Sequence, residues 1–301
     1  MLPLDTPLEF INEIDMARAD ACLASKLGIS RSYAAVLIES GYILVNGKRW
    51  KKSRHISLGA HISVEFPKEE AVDITPKDIP FDILLDEPKY TIINKPSGIA
   101  VHPGPAHLND TLVNGLLFKL RINDADAGVR PGIVHRLDKD TSGLMIVTKD
   151  RQAREVFGKL FSDRKIDKYY LCIAHGKTDK RKFVIDAPIR RDKIHRKRMG
   201  IYADGRESRS EVEVLEEYKK GFLAEVKLCT GRTHQIRVHF KHIKHPLIGD
   251  ELYGGKSALF HRQALHSHRL VFTDPFNGKA VNITSDIPDD MKELKERLAK
   301  Q

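Results

Sequence analysis

The chain has 301 residues and a formal net charge of +10, from 51 Lys and Arg against 41 Asp and Glu. Apolar residues make up 41% and charged residues 31%, a balance that excludes a wholly disordered chain. No stretch nears the roughly 18 uninterrupted apolar residues of a membrane-spanning helix, so no membrane partner is expected. The length suggests two domains. The first fifteen residues are acidic and lack a basic segment followed by an apolar one, which predicts no secretory leader. Cys22, Cys172 and Cys229 are odd in number, far apart and form no C-x-x-C pair. Neither a zinc ribbon nor a disulfide framework is expected, and a reducing cytoplasm fits. The positive surplus favours a polyanionic partner.

The first module spans residues 13–66. Ala19, Cys22, Leu23 and Leu27 recur at helical spacing, with Gly28 as the stop. Ser30 stands as the N-cap of a second helix over residues 32–40, ended by Gly41. Residues 42–45 predict a strand, and Asn46-Gly47 a two-residue hairpin turn. Residues 61–66 alternate at period two, as a second strand does. Over residues 18–64 there are eight Lys and Arg against two acids, a net of +6. A solvated surface carries such charge too, but Lys48, Arg49, Lys51, Lys52 and Arg54 cluster just past the turn, which favours phosphate contact.

Residues 67–80 hold three prolines without periodicity and read as a linker. Residues 81–290 predict one larger α+β domain. Its strand candidates are residues 90–94, 143–148, 169–174, 210–215, 223–228, 270–272 and 279–284, and its helix candidates are 112–120 and 153–162. Residues 289–300 place Met291, Leu294 and Leu298 on one face of a packing helix. A second basic block, residues 180–198, has nine Lys and Arg against two acids, a net of +7. It reads either as a charged loop without a ligand or as a surface that tracks a nucleic-acid backbone.

The most informative string is His135-Arg136-Leu137-Asp138-Lys139-Asp140-Thr141-Ser142-Gly143, followed by the apolar run Leu144–Val147. Alone it also reads as a charged turn closed by Thr141-Ser142-Gly143. Further strings are Lys95-Pro96-Ser97-Gly98, Val101-His102-Pro103-Gly104, Lys168-Tyr169-Tyr170 and the polar run Gly231-Arg232-Thr233-His234-Gln235-Ile236-Arg237-Val238-His239. His245-Pro246-Leu247-Ile248-Gly249-Asp250 and Tyr253-Gly254 come soon after. His234, His239, His242 and His245 are close in sequence, but no H-E-x-x-H string or paired cysteine accompanies them, so no metal is expected. Glycoside hydrolysis by paired carboxylates is a rival reading. Asp138 and Asp140, however, would share one face of an extended segment and would not straddle a substrate.

Arg18-Ala19-Asp20, Ser30-Arg31-Ser32 and the hairpin Gly41–Lys48 resemble the S4 RNA-binding domain, whose usual opening is Arg-Leu-Asp. With that module in front and five motifs in family order, the chain resembles the RluA-type pseudouridine synthases, in the RluD-like branch. The resemblance implies an α+β fold: the S4-like module, then a mixed, mainly antiparallel sheet. It implies isomerisation of uridine to pseudouridine in RNA, above all large-subunit ribosomal RNA or its precursors and less so transfer RNA, by a monomer. It assigns catalysis to Asp138, entry into the RNA stack to Arg136, stacking on the uracil to Tyr170 and partnership with Asp138 to Arg237. It places the stretch around Arg237 in strand and turn structure. RNA contacts are expected from Arg18, Arg31, Lys48, Arg49, Lys51, Lys52, Arg196, Lys197 and Arg198. Where the family has Lys-Pro-Ala-x-Thr, this chain has Glu207-Ser208-Arg209-Ser210, and no contacts are inferred there.

The chemistry agrees with that mapping. Forming pseudouridine breaks the N1–C1′ bond and joins C5 of the same uracil to C1′. Nothing is oxidised, reduced or hydrolysed, so no cofactor is expected. The reaction needs an ionised carboxylate, which a closed pocket would desolvate and a guanidinium such as Arg237 would restore. It also needs apolar walls, for which Leu144–Val147 and Ile236 are candidates. A non-catalytic RNA-binding or ribosome-assembly protein is the alternative. A DNA-binding protein is less consistent, since no helix-turn-helix with a dimerisation element is present.

Overall fold

A computed structural model describes residues 8–13, 15, 18–29, 31–66, 74–104, 109–120, 122, 130–195 and 197–300. Ser30, Arg196 and residues 67–73 of the expected linker lie outside them. The chain divides into two compact units, Met1–Val72 and Asp73–Gln301.

The first unit runs β1 (Leu8–Ile11), α1 (Ala19–Leu27), α2 (Arg31–Ser40), β2 (Ile43–Val45), β3 (Lys48–Arg49) and β4 (His61–Val64). Gly28 ends α1 in the left-handed region, φ 65°, and its N–H returns to the Ala24 carbonyl. Asn46 and Gly47 both take positive φ, 51° and 70°, which lets two residues reverse the chain from β2 to β3. β4 lies between β1 and β2. Ile62 and Val64 of β4 point into a core with Leu23, Leu37 and Ile43. β1 starts ahead of the expected module, in a stretch for which the sequence predicted no element.

The second unit contains β5 (Asp82–Asp86), β6 (Tyr90–Lys95), α3 (Leu112–Leu120), β7 (Ser142–Thr148), α4 (Arg151–Ser162), β8 (Asp167–His175), β9 (Lys182–Asp186), β10 (Ile189–Arg191), β11 (Met199–Ile201), β12 (Arg209–Glu217), β13 (Gly221–Leu228), α5 (Gln235–His242), β14 (Leu265–Thr273), β15 (Ala280–Thr284) and α6 (Asp289–Ala299). Among the described residues, nine strands form one sheet in the order β5-β6-β7-β14-β8-β13-β12-β9, with β15 also paired to β14. β7 and β14 pair in parallel; the other pairs are antiparallel. The fold is thus α+β with a mixed, mainly antiparallel sheet. Met291, Leu294 and Leu298 of α6 pack with Ile173 and Leu223.

The basic block is more ordered than a charged loop. It contains β9, and β10 and β11 form a two-stranded ribbon in which Arg191 faces Met199.

Two expectations need correction. Residues 235–242 form a helix, not strand and turn. Gln235 to Phe240 are buried all round, so no amphipathic period marks them as helical. The strand expectation came from the family resemblance alone. The Gln235 side chain stabilises the helix start by accepting from Thr230 Oγ1 (2.8 Å) and Arg232 N (3.0 Å). Secondly, Leu144–Val147 do not line the cavity around Asp138. β7 is buried at every position: Leu144 and Ile146 join Tyr90, Phe157 and Phe272 on one side, and Met145 and Val147 join the core containing Leu116 and Phe240.

The parallel contact between β7 and β14 depends on Gly143. Its φ is 114°, and a Cβ there would lie 2.2 Å from the Ser267 carbonyl oxygen. Gly143→Ala is expected to cost about 2–4 kcal/mol, combining backbone strain with overpacking. Urea unfolding checks this; an unchanged midpoint would contradict it.

Candidate active site

The site is built on the turn that feeds β7. Asp138 starts it, its carbonyl accepting from Thr141 N at 3.1 Å. Cations and an amide hold the turn by its oxygens. The fully buried Lys95 donates to the carbonyls of Lys139 (2.9 Å), Pro96 (2.7 Å) and Ile99 (3.0 Å). Burial brings its ammonium down to about 7. Arg262 Nη1 donates to Asp140 O (3.2 Å), and Gln263 Nε2 to Thr141 Oγ1 (3.1 Å). The turn also separates the two aspartates: Asp138 lines a cavity, whereas Asp140 lies outside its lining, so they do not share one working face.

Arg237, on α5, reaches Asp138 across the fold. Its Nη1 donates to Asp138 Oδ2 at 2.8 Å. The rest of the guanidinium grips Asp250 in a fork, Nε to Oδ2 at 2.7 Å and Nη2 to Oδ1 at 2.9 Å. The Asp250 side chain is wholly buried and that of Asp138 is one-fifth exposed. Burial alone would weaken the guanidinium's hold on its proton. Hydrogen bonds and charge from Asp250, then Asp138, outweigh it and raise the pKa. Arg237 therefore stays a cation and serves two carboxylates.

Tyr170 sits on β8, opposite Val226 of β13 and Ser267 of β14. Burial pushes its phenol up to about 12, against a hydrogen bond from the Ser267 side chain, so it is neutral at physiological pH. Tyr170, Asp138, Arg136 and Arg237 all line one cavity of about 570 Å³, within the roughly 300–1,000 Å³ of small-ligand sites. Leu137, Ile166, Leu228, Ile236 and Leu265 supply its apolar walls. Arg164, Lys168, Arg206 and Arg232 join Arg136 as cations in the lining. Burial, then the charges of Arg206 and Arg164, lower the Arg232 pKa, so this crowd of guanidinium groups is set to receive an anion.

The histidines have separate tasks. His135 accepts from Ile146 N (2.8 Å) and lies against Phe161; burial lowers it to about 3, so it is a neutral structural residue. His239 contacts Ser210 Oγ (2.9 Å) and the Ala187 carbonyl (3.1 Å), and His245 the His175 carbonyl (2.9 Å). Among the described residues, no group of three His, Cys, Asp or Glu could hold a metal ion.

The expected RNA contacts divide by environment. Arg18 (2.9 Å) and Arg31 (3.2 Å) both pair with Asp20, joining the starts of α1 and α2. The Arg18 hydrogen bond chiefly holds Asp20 down at about 2. Lys48, Arg49, Lys51 and Lys52 are exposed, and Lys52 pairs with Glu39 at 2.7 Å. Arg54 stacks on Trp50, 4.0 Å from the ring centre. In the other unit, Lys197 is exposed and Arg198 half-buried between β10 and β11, while Arg196 lies outside the described residues. The sequence reading missed the roles of Asp250, Lys95 and His234. The strings that contain Lys95, Asp250 and His234 were noticed, but these three residues had no assigned partners.

A carboxylate beside a buried guanidinium, in a cavity of mixed apolar and cationic lining, fits an enzyme that handles a polyanionic substrate. The RNA pseudouridylate synthase family model matches residues 89–242, and the S4 domain model matches residues 18–62. An uncharacterized RNA pseudouridine synthase, YlyB, of Bacillus subtilis is 38% identical over 96% of this chain and 99% of its own length. The ribosomal large subunit pseudouridine synthase D of Xanthomonas campestris is 36% identical over 98% of this chain and 94% of its own. A solved structure, human RNA pseudouridylate synthase domain containing 1, shares the fold: TM-score 0.59 at 21% identity, over 75% of this chain and 97% of that one. The chain belongs to the RNA pseudouridylate synthase family, with an S4 RNA-binding domain in front.

Proposed function

We propose that the protein isomerises specific uridines of large-subunit ribosomal RNA, with Asp138 as the reacting carboxylate. What carries the reading is the ion-paired Asp138 in a cavity that also holds Tyr170 and Arg136. A relative that is 36% identical over nearly the whole chain and named for the large ribosomal subunit supports the choice of RNA.

In this reading the target uridine leaves its stack, at a cost of a few kcal/mol, and Arg136 fills the space left behind. The uracil enters against the Tyr170 ring. Asp138 acts at the sugar, by attack on C1′ or by removal of the C2′ proton; both routes require the ionised carboxylate that Arg237 holds. N1 departs with the bonding pair and the ring turns between the apolar walls; C5 then bonds to C1′, displacing the Asp138 carboxylate on the first route or as Asp138 returns the proton to C2′ on the second, and C5 loses its proton while N1 takes one up. A non-catalytic RNA binder would have no use for this arrangement. Three free cysteines suit a reducing cytoplasm. Mapping pseudouridines in ribosomal and transfer RNA from a deletion strain tests the assignment. Loss of one or more large-subunit pseudouridines is expected; an unchanged large-subunit map would contradict it.

The exposed cations of the S4 domain have a separate expected effect. Replacing Lys48 and Lys51 by Ala should lower RNA affinity about equally for all sequences and reduce the slope of log affinity against log salt by about 1 per lysine. The single-turnover rate at saturating RNA should not change. Affinity measurements across a salt series check this, and an unaltered slope would remove these lysines from the interface.

A further inference from the structure

His234 is a non-glycine residue in the left-handed region, φ 56°, at the N-cap of α5, and its side chain makes no capping hydrogen bond. Such backbone costs free energy and persists where the surroundings impose it. Here the imidazole is held between two groups. Its Nδ1 lies 2.7 Å from the Tyr253 hydroxyl, and its Nε2 lies 3.7 Å from Asp138 Oδ1. Tyr253 is almost wholly buried, its ring edge-on to the imidazole at 5.6 Å.

The hydrogen bonding favours one placement of the protons. The Tyr253 oxygen accepts from Met199 N at 2.9 Å, which leaves its own proton for His234 Nδ1. The imidazole proton then sits on Nε2, the nitrogen facing Asp138. Asp138 therefore has Arg237 on Oδ2 and an imidazole N–H aimed at Oδ1. Burial, with the charges of Arg237 and Arg136, favours the neutral ring against the pull of Asp138 and Asp250.

We propose that His234 is a positioning residue for Asp138, its tautomer and orientation set by Tyr253, so that the carboxylate is aimed at the sugar with one oxygen hydrogen-bonded to Arg237 and the other facing the imidazole at 3.7 Å. This rests on Asp138 being the reacting group. The role accounts for the unfavourable backbone, because an extended residue at the N-cap would point its side chain elsewhere.

The test is His234→Asn, since Asn accepts left-handed backbone but is too short to bring an N–H to Asp138. The variant should melt at or above the wild-type temperature and bind RNA with unchanged affinity. Its single-turnover rate should fall by about 10–100-fold, the usual scale for outer groups that orient a reacting one. His234→Gln, which restores reach and an N–H, should recover part of the rate. In ¹⁵N spectra the wild-type ring should be the Nε2–H tautomer, and Tyr253→Phe should mix the two tautomers. A wild-type rate in His234→Asn would overturn the proposal. So would a rate loss matched by losses of melting temperature and RNA affinity. Asp138→Asn, run in parallel, separates the two readings: activity there removes the reacting carboxylate itself, whereas an inactive Asp138→Asn beside a fully active His234→Asn removes only the positioning role.

Discussion

Asp138→Asn is expected to lower the single-turnover rate by about four orders of magnitude or more, the scale seen when a reacting group is removed from an otherwise intact site. The amide carbonyl can still accept from Arg237 Nη1, now at 2.8 Å from Oδ2, so the fold should survive. RNA affinity should hold or tighten, because the change removes a negative charge from a cavity lined by Arg136, Arg164, Arg206 and Arg232. Rapid-mixing kinetics with saturating RNA, alongside filter binding, separates the two effects. Activity within tenfold of wild type would mean that another group does the chemistry.

The second large effect falls on stability. Arg237→Met removes the cation that Asp138 and the fully buried Asp250 share. An uncompensated buried carboxylate costs about 3–5 kcal/mol. The double variant Arg237→Met with Asp250→Leu should regain much of that loss, because an apolar pair can replace a buried ion pair. It should not regain activity, since Asp138 still lacks its partner. Denaturant unfolding and rate measurements on the three proteins check this. Recovery of activity with stability would show that Arg237 serves packing alone.

Much of this was legible because local chemistry and global fold agree. Asn46-Gly47 demands a tight turn, Gly28 a helix stop, and Met291, Leu294 and Leu298 a buried helix face, and each is found. The strand pattern of the larger domain was visible where apolar runs were long, as in β7 and β13. The pieces that escaped lack such a signature. α5 is buried at every position from Gln235 to Phe240, so its period is hidden. β9 to β11 are short, and β9 and β10 are rich in charge. Asp138 and Arg237 stand 99 positions apart, and their pairing was available only through the family resemblance. Asp250, Lys95 and His234 act through the fold's convergence, and the one local sign of His234, its left-handed backbone, is invisible in a residue string.

In the proposed reaction Asp138 lets uracil exchange its N1–C1′ bond for C5–C1′, with loss of the C5 proton. The most direct measurement is tritium release from large-subunit ribosomal RNA labelled at C5 of uridine, incubated with the purified protein. Release of one tritium per pseudouridine formed, with no chain cleavage and none released by Asp138→Asn, is the predicted result. Tight binding of the RNA with all of its tritium retained would contradict it.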